Sequence, residues 1–309
     1  MDGKIGYFFK MTQQAQIIQG SIVAIVTPMF EDGSVDWKGL EKLVEWHIEQ
    51  GTNSIVAVGT TGEASTLSMA EHTKVIKDVI RVANKRIPII AGTGANSTHE
   101  AIELTKEAKD IGADAALLVT PYYNKPTQEG LYQHYKAIAE AVDLPIILYN
   151  VPGRTGVDML NETVIRLADI SNIVGVKDAT GDVPRGKELL DGLQGKEMVV
   201  YSGDDATARE LIALGAQGNI SVTANIAPKI MSELCAAAIA GNTDLAKEKD
   251  AQVAKLNNIL FCESNPIPVK WALHEMELIG TGIRLPLTPL AEQYRTPLRE
   301  ELKAAGVIQ

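Results

Sequence analysis

The feature that most constrains the fold is a regular alternation of short apolar segments with amphipathic segments, which runs from Ser21 to about Gly241. Each apolar segment has the length of a β-strand and ends in turn residues, and each amphipathic segment has apolar residues at helical spacing. Strands that are apolar on both faces are typical of parallel sheets covered by helices on both sides. The eight predicted strands are 21–28, 54–58, 88–92, 115–120, 145–150, 172–177, 198–202 and 218–223.

Eight consecutive strand–helix cycles favour a closed (β/α)8 barrel of the TIM type, in the α/β class, over a doubly wound open sheet. We assign residues 20–241 to the barrel. Residues 242–309 are predicted to be a helical extension, with helices over 245–260, 267–279 and 297–305. Residues 1–19 lack this pattern, and their apolar patch is too short for a signal peptide, so we expect a loose N-terminal leader.

Composition excludes several classes of partner. The net charge of −10 and the absence of Lys/Arg blocks argue against nucleic acid and anionic membrane surfaces. No apolar run is long enough to span a bilayer. The chain has 2 cysteines, far apart in sequence, and 5 histidines without the close spacing of metal ligands. We therefore expect a cytoplasmic protein without a bound metal.

The most unusual position is Lys177, at the end of the sixth predicted strand, because lysine is rarely buried without a partner. Side chains alternate along a strand, so Lys177 shares a face with Gly175, which would leave room beside the amine. Removal from water disfavours the charged ammonium, and a neutral amine forms Schiff bases with ketones. The alternative is that Lys177 extends into solvent from the strand end and has no catalytic role.

Other reactive side chains fall at the carboxyl ends of predicted strands, where barrel enzymes place their active sites. Thr60 and Thr61 follow the second strand, Tyr123 follows the fourth, and Tyr149 ends the fifth. Arg154 lies in the loop predicted after the fifth strand. Each also has a structural interpretation: a turn and helix cap, a core aromatic, or a surface arginine. Together with an amine, however, hydroxyl relays and donors to a carboxylate suit an α-keto acid substrate.

Two further motifs carry weaker signals. Asp204 and Asp205 follow the seventh strand and could form a metal pair, but we favour capping of the next helix. The segment 92–97 contains two glycines, but it lacks the third glycine and the acidic partner of a dinucleotide-binding motif.

Several ordered segments resemble the dihydrodipicolinate synthase family, within the superfamily of pyruvate-dependent class I aldolases and N-acetylneuraminate lyase. These segments are Gly59–Glu63, Thr120–Asn124, Tyr149–Gly156, Val176–Gly181 and Ser202–Asp205. The resemblance runs from about Gly20 to the C-terminus and includes Asn265–Lys270 in the predicted helical extension.

This resemblance implies a barrel enzyme without metal or organic cofactor that condenses pyruvate with L-aspartate 4-semialdehyde, in the diaminopimelate route to lysine. Lys177 would form a Schiff base with the ketone of pyruvate. Thr61 would hold the pyruvate carboxylate, and Tyr149 would shuttle protons through Thr60 to Tyr123. Arg154 would bind the carboxylate of the semialdehyde, while the site would be lined by Gly203 and Ile220.

The resemblance also implies a homo-oligomer, usually a tetramer of two tight dimers, in which Tyr123 reaches into a neighbouring subunit. Some family members bind L-lysine as an allosteric effector at the dimer interface. Ala64 and Met69 stand where strongly inhibited members commonly have polar residues, so we expect weak or partial inhibition. The positions that match the effector site are Ser65, His72, Asn96, Glu100 and Tyr122.

Two alternatives remain open at this point. Sister enzymes such as N-acetylneuraminate lyase and keto-sugar-acid aldolases share the fold and the lysine, although Arg154 after Val-Pro-Gly and the paired threonines favour the synthase. A barrel that senses a keto acid or amino acid without turnover is the second alternative. The intact set of lysine, tyrosine and threonine argues against it.

Overall fold

The computed structural model describes residues 18–309, so the predicted leader lies almost entirely outside the described residues. Its centre is a closed barrel of parallel strands in sequence order, in which β1 pairs with both β2 and β8. The closed ring confirms the predicted (β/α)8 barrel and excludes the open doubly wound sheet. The strands are β1 Gly20–Ala24, β2 Ser54–Ala57, β3 Ile89–Gly92, β4 Ala115–Val119, β5 Ile146–Asn150, β6 Ile173–Asp178, β7 Val199–Ser202 and β8 Gly218–Ser221.

Helices surround the barrel and form the C-terminal extension. Short 3-10 helices also occur, over Ala64–Thr66 after β2 and over Thr223–Asn225 after β8. The α-helices are α1 Trp37–Glu49, α2 Met69–Ala83, α3 Thr98–Asp110, α4 Gln128–Ala141, α5 Pro152–Thr155, α6 Asn161–Leu167, α7 Val183–Gly192, α8 Ala208–Ala213, α9 Pro228–Ile239, α10 Thr243–Ile259, α11 Ile267–Glu275 and α12 Glu292–Ala304. Within residues 18–309, none of these helices combines the length and the apolar run required to cross a bilayer.

The structure differs from several predicted element boundaries; β1, for example, ends at Ala24 rather than at residue 28. The segment after β5 contains a short helix, α5, where we predicted only a loop. Helix α11 ends at Glu275 rather than near 279, because Glu277 adopts a left-handed conformation with φ of 61°. Helix α12 begins at Glu292 and contains Pro297, whereas we predicted that it begins at residue 297.

The apolar side chains form two clusters, one inside the barrel and one between the strands and the helices. The interior cluster includes Ile22, Val56, Ile90, Ile147 and Tyr201, all at most 2% exposed. Strand alternation sends residues 175 and 177 of β6 towards this interior. The Lys177 side chain, at the carboxyl end of the barrel, therefore packs on the apolar side chains of the interior cluster.

The C-terminal extension is attached to the carboxyl end of the barrel by buried polar contacts. The ammonium of Lys270 on α11 pairs with the Glu63 carboxylate and donates to the Thr27 carbonyl at 3.0 Å. Arg284 binds the Glu71 carboxylate through two guanidinium nitrogens, at 2.6 and 2.8 Å. Because Glu63 follows the paired threonines after β2, the extension contacts the loop that carries them.

Candidate active site

Lys177 lies on β6 between Tyr149 of β5 and Tyr201 of β7, which are its register partners in the barrel. Its side chain is 5% exposed, and its Nζ lies 4.2 Å from the centroid of the Tyr149 ring. No carboxylate in the described part of the chain forms an ion pair with this amine. The neighbouring carboxylate, Asp178, alternates to the other face of the strand, and burial raises its pKa.

Room for the amine comes from Gly203 rather than from Gly175. A Cβ at residue 203 would stand 2.8 Å from Lys177 Cε, 2.9 Å from Lys177 Cγ and 2.8 Å from the Ala179 Cβ. A Cβ at residue 175 would instead meet the Tyr201 ring at 3.1 Å. Our expectation that Gly175 leaves space beside the amine was therefore wrong, because the aromatic ring of Tyr201 occupies that space.

The paired threonines lie in a tight loop that begins with an unusual backbone conformation. Val58 has φ of 56°, a left-handed conformation that is strained for a β-branched residue. Gly92 of β3 permits it, because a Cβ there would clash with the Val58 carbonyl. Thr61 is buried at 2% exposure, whereas Thr60 is half-buried. The loop therefore holds two hydroxyls at the carboxyl end of β2, as predicted for a substrate-binding turn.

Arg154 belongs to α5 and is exposed, in contrast to its predicted place in a loop. Its Nη2 donates to the main-chain carbonyl of Asn265 at 3.3 Å. The Asn265 side chain in turn donates from Nδ2 to Thr61 Oγ1 at 3.0 Å. The structure thus connects two predicted substrate-binding residues through Asn265. Sequence analysis gave Asn265 no role, although it begins the family-like segment in the extension.

The predicted hydroxyl relay is brought together only in part. Tyr149 is 7% exposed and faces the amine, but its hydroxyl makes no hydrogen bond to Thr60 within residues 18–309. Tyr123 is 89% exposed, with φ of 75°, and makes no side-chain hydrogen bond to Thr60 or Tyr149 in the described chain. The described chain therefore does not join these three hydroxyls by itself.

The remaining predicted site residues have clear positions. Ile220 is buried in the interior cluster at the β8 side of the lysine. Asp204 accepts from the Thr207 amide and hydroxyl in the turn before α8, but the N-cap of α8 is Thr207 and has no side-chain cap, so the predicted capping of this helix was wrong. Asp205 accepts from the Asn219 side chain and from two backbone amides after β8. Among the residues that the structure describes, no group of three His, Cys, Asp or Glu side chains could hold a metal ion.

Four of the positions that match an effector site lie near one another. Asn96 Nδ2 donates to the Tyr122 carbonyl at 3.2 Å, and His72 Nε2 lies 2.7 Å from the Gly92 carbonyl. Burial and the charge of Glu100 raise the pKa of Tyr122. Ser65 is exposed, in the 3-10 helix after β2, and makes no hydrogen bond to the other four.

Comparisons with known proteins identify the family. The sequence model of the Dihydrodipicolinate synthetase family matches residues 17–305. A 4-hydroxy-tetrahydrodipicolinate synthase from Marinobacter nauticus is 63% identical over 94% of this chain and 100% of its own length.

Two solved structures extend the comparison. A chloride-inhibited dihydrodipicolinate synthase from Acinetobacter baumannii, complexed with pyruvate, is 80% identical over 94% of this chain and 100% of its own, with a TM-score of 0.94. A dihydrodipicolinate synthase from Cyanidioschyzon merolae, with lysine bound, is 37% identical over 94% of this chain and 99% of its own, with a TM-score of 0.89. The chain therefore belongs to the dihydrodipicolinate synthetase family.

Proposed function

We propose that the protein is a 4-hydroxy-tetrahydrodipicolinate synthase, which condenses pyruvate with L-aspartate 4-semialdehyde. The observation that carries this proposal is the buried amine of Lys177, which faces the Tyr149 ring at 4.2 Å and has no ion-pair partner in the described chain. An unprotonated lysine amine attacks a ketone to form a Schiff base, and no carboxylate of the described chain holds this one. The relatives named above carry this activity in their names.

In the proposed mechanism, Lys177 Nζ adds to the ketone of pyruvate, and water leaves as the imine forms. Loss of a proton from the pyruvate methyl group gives an enamine. The enamine carbon then forms a bond with the aldehyde carbon of the second substrate, whose oxygen takes up a proton. The amino group of the semialdehyde then attacks the imine carbon, which closes the ring and releases Lys177 as the free amine. The cyclic product is the precursor of diaminopimelate and lysine. The residues alone supply these steps, and we propose no metal or organic cofactor.

Binding roles follow from the positions of the donors. Thr61 supplies a buried hydroxyl to the pyruvate carboxylate, and Gly203 and Ile220 shape the wall beside the amine. Arg154, exposed at the mouth of the site, supplies a guanidinium fork suited to the carboxylate of the semialdehyde. Tyr149, whose ring centroid lies 4.2 Å from Lys177 Nζ, is the proposed proton shuttle.

We propose that the relay is completed across a subunit interface. Tyr123 is 89% exposed and held with a left-handed backbone, so its ring is presented to another molecule rather than to its own barrel. A second copy of the chain would place this hydroxyl beyond Thr60 of its neighbour. The proposed assembly is a homotetramer built from two tight dimers. The proposed location is the cytoplasm, which suits the free thiols of Cys235 and Cys262.

L-Lysine is proposed as a weak or partial inhibitor that binds beside Tyr122. The lysine bound to the Cyanidioschyzon merolae relative and the clustering of His72, Asn96, Glu100 and Tyr122 support this site. Ala64 and Met69 offer no polar contact to the effector. Calorimetric titration together with the coupled assay should show binding and incomplete inhibition at millimolar lysine. No binding heat would exclude the site, and complete inhibition would show that Ala64 and Met69 do not weaken it.

The central experiment is reductive trapping of the imine. Incubation with pyruvate and borohydride should add one reduced pyruvate to the protein mass, and peptide mapping should place it on Lys177. Lys177→Ala should abolish the adduct, whereas Arg154→Ala should keep it and lose use of the semialdehyde. An adduct on another lysine would contradict the mechanism. A coupled assay with aspartate semialdehyde against N-acetylneuraminate separates the synthase from its sister enzymes, and a sensor would form no adduct.

A further inference from the structure

We infer that Asn265, in the C-terminal extension, is a positioning residue that sets the direction of the Thr61 hydroxyl proton and thereby determines pyruvate affinity. The inference rests on the proposed role of Thr61 at the pyruvate carboxylate. Asn265 lies 204 residues from Thr61 in sequence, and both side chains are buried, at 5% and 2% exposure.

The direction of the hydrogen bond follows from the atoms that meet. In the structure, Asn265 Nδ2 donates to Thr61 Oγ1 at 3.0 Å, so the threonine oxygen accepts, while Asn265 Oδ1 is buried without a partner among residues 18–309. No acceptor among residues 18–309 takes the proton of the Thr61 hydroxyl. That proton is consequently directed to a ligand, and a carboxylate is an acceptor with no hydrogens of its own at neutral pH.

The donor of this bond is itself held in place from both sides. The main-chain carbonyl of Asn265 accepts from Arg154, and α11 begins two residues later. Lys270 on α11 donates to the Thr27 carbonyl, and the Thr27 hydroxyl donates to the carbonyl of Gly62 at 2.7 Å. Gly62 is the residue after Thr61, so the asparagine and the threonine are fixed to the same buried network. The amide therefore needs little reorganisation when the carboxylate binds.

The two contacts of Asn265 involve different parts of the residue, and each leads to the binding group of a different substrate. The Asn265 side chain donates to Thr61, whereas the Asn265 main-chain carbonyl accepts from Arg154. Substitution of the side chain leaves the acceptor of Arg154 in place. A positioning role therefore predicts damage to pyruvate binding with little change in semialdehyde use, whereas a general loss of structure would damage both.

The test compares Asn265→Ala, Asn265→Ser and Asn265→Asp by the pyruvate dependence of the borohydride-trapped adduct and by steady-state kinetics. Asn265→Ala should raise the half-saturating pyruvate concentration about tenfold, the order of one hydrogen bond. Asn265→Asp should be worse, about a hundredfold, because its carboxylate accepts the Thr61 proton and repels the pyruvate carboxylate. In each variant, kcat at saturating pyruvate and KM for the semialdehyde should change by less than about threefold.

Controls make the result specific. Asn258→Asp introduces the same change at an exposed position of α10 and should behave as the unmodified protein. In a Thr61→Val background, Asn265→Ala should cause no further loss, because the hydroxyl that it directs is gone. An Asn265→Asp variant with unchanged pyruvate dependence would overturn the inference, as would equal rises in KM for both substrates. Absence of any adduct in the unmodified protein would instead refute the proposed function.

Discussion

The position of the Lys177 side chain depends on the missing Cβ at Gly203, which follows the neighbouring strand β7. The Gly203 amide donates to the Asp178 carbonyl at 2.7 Å, so the glycine backbone cannot retreat from Lys177 without loss of that bond. Lys177 itself makes no ion pair in the described residues, and its orientation is therefore set by packing against Tyr149 and Gly203. The position of the amine therefore depends on the space that Gly203 leaves as well as on the lysine itself.

Gly203→Ala should sharply reduce formation of the pyruvate adduct. The added Cβ would stand 2.8 Å from Lys177 Cε and from the Ala179 Cβ, so the lysine stem must move. Displacement of a reacting atom by about 1 Å is expected to cost roughly a hundredfold in rate. Gly280→Ala is the matched control, because its Cβ would meet only the Met29 carbonyl, at 3.7 Å. Trapping rates and mass spectrometry measure both variants, and unchanged trapping in Gly203→Ala would show that Lys177 adapts freely.

At the scale of elements, the loop after β2 and helix α11 depend on each other through a buried ion pair. Both Glu63 oxygens are used, one by Lys270 and one by the Arg284 amide at 3.2 Å. Burial lowers the pKa of Lys270, which the charge of Glu63 opposes. A buried ion pair adds little net stability to the folded protein. Removal of one partner is nevertheless costly, because the other charge is then buried without an opposite charge.

Glu63→Gln and Lys270→Met should each reduce the free energy of unfolding by about 3–5 kcal/mol. The double variant Glu63→Gln/Lys270→Met should lose much less than the sum, because no unpaired charge remains. Asp191→Asn provides the control, since its i,i+4 pair with Lys187 is about half exposed and should change stability by less than about 1 kcal/mol. Urea denaturation at one protein concentration measures all of these. Additive losses would mean that the two charges do not stabilise each other.

At the scale of the whole molecule, acid stability is governed in part by histidines buried far from the site. Burial lowers the pKa of His47 to about 3 and that of His134 to about 4. In the unfolded chain both would titrate near 6.5. Between these pKa values the unfolded chain binds more protons than the folded protein. The contribution of these histidines to the free energy of unfolding is therefore fully present above pH 6.5 and declines as the pH falls.

The melting temperature should therefore fall between pH 6.5 and pH 4, with each buried histidine contributing up to about 1.4 kcal/mol per pH unit. His47→Asn should flatten this decline, because the group that gains a proton on unfolding is removed. His99→Asn, at a side chain that is 83% exposed, should leave the slope unchanged. Thermal denaturation across this pH range tests the prediction, and parallel slopes for His47→Asn and the unmodified protein would refute it.

The barrel, the family and the strand-end position of Lys177 were predictable from the sequence, and the first two predictions are confirmed by the closed sheet and by the relatives. The physical reason is local: each strand and helix carries its own periodicity, and the number of cycles limits the topology. The motif residues were visible because they lie beside those strands. Their catalytic roles remain proposals.

Contacts between residues far apart in sequence were not predictable and are seen in the folded chain. Gly203, not Gly175, makes room for the amine, because barrel curvature places Tyr201 over residue 175. Asn265 reaches Thr61 across 204 residues, and Lys270 reaches Glu63 across 207. No local pattern encodes such contacts, since they arise when the ring closes and the extension docks on its carboxyl end. The side chains that hold the site in place were therefore hidden in a segment whose periodicity indicated only helices.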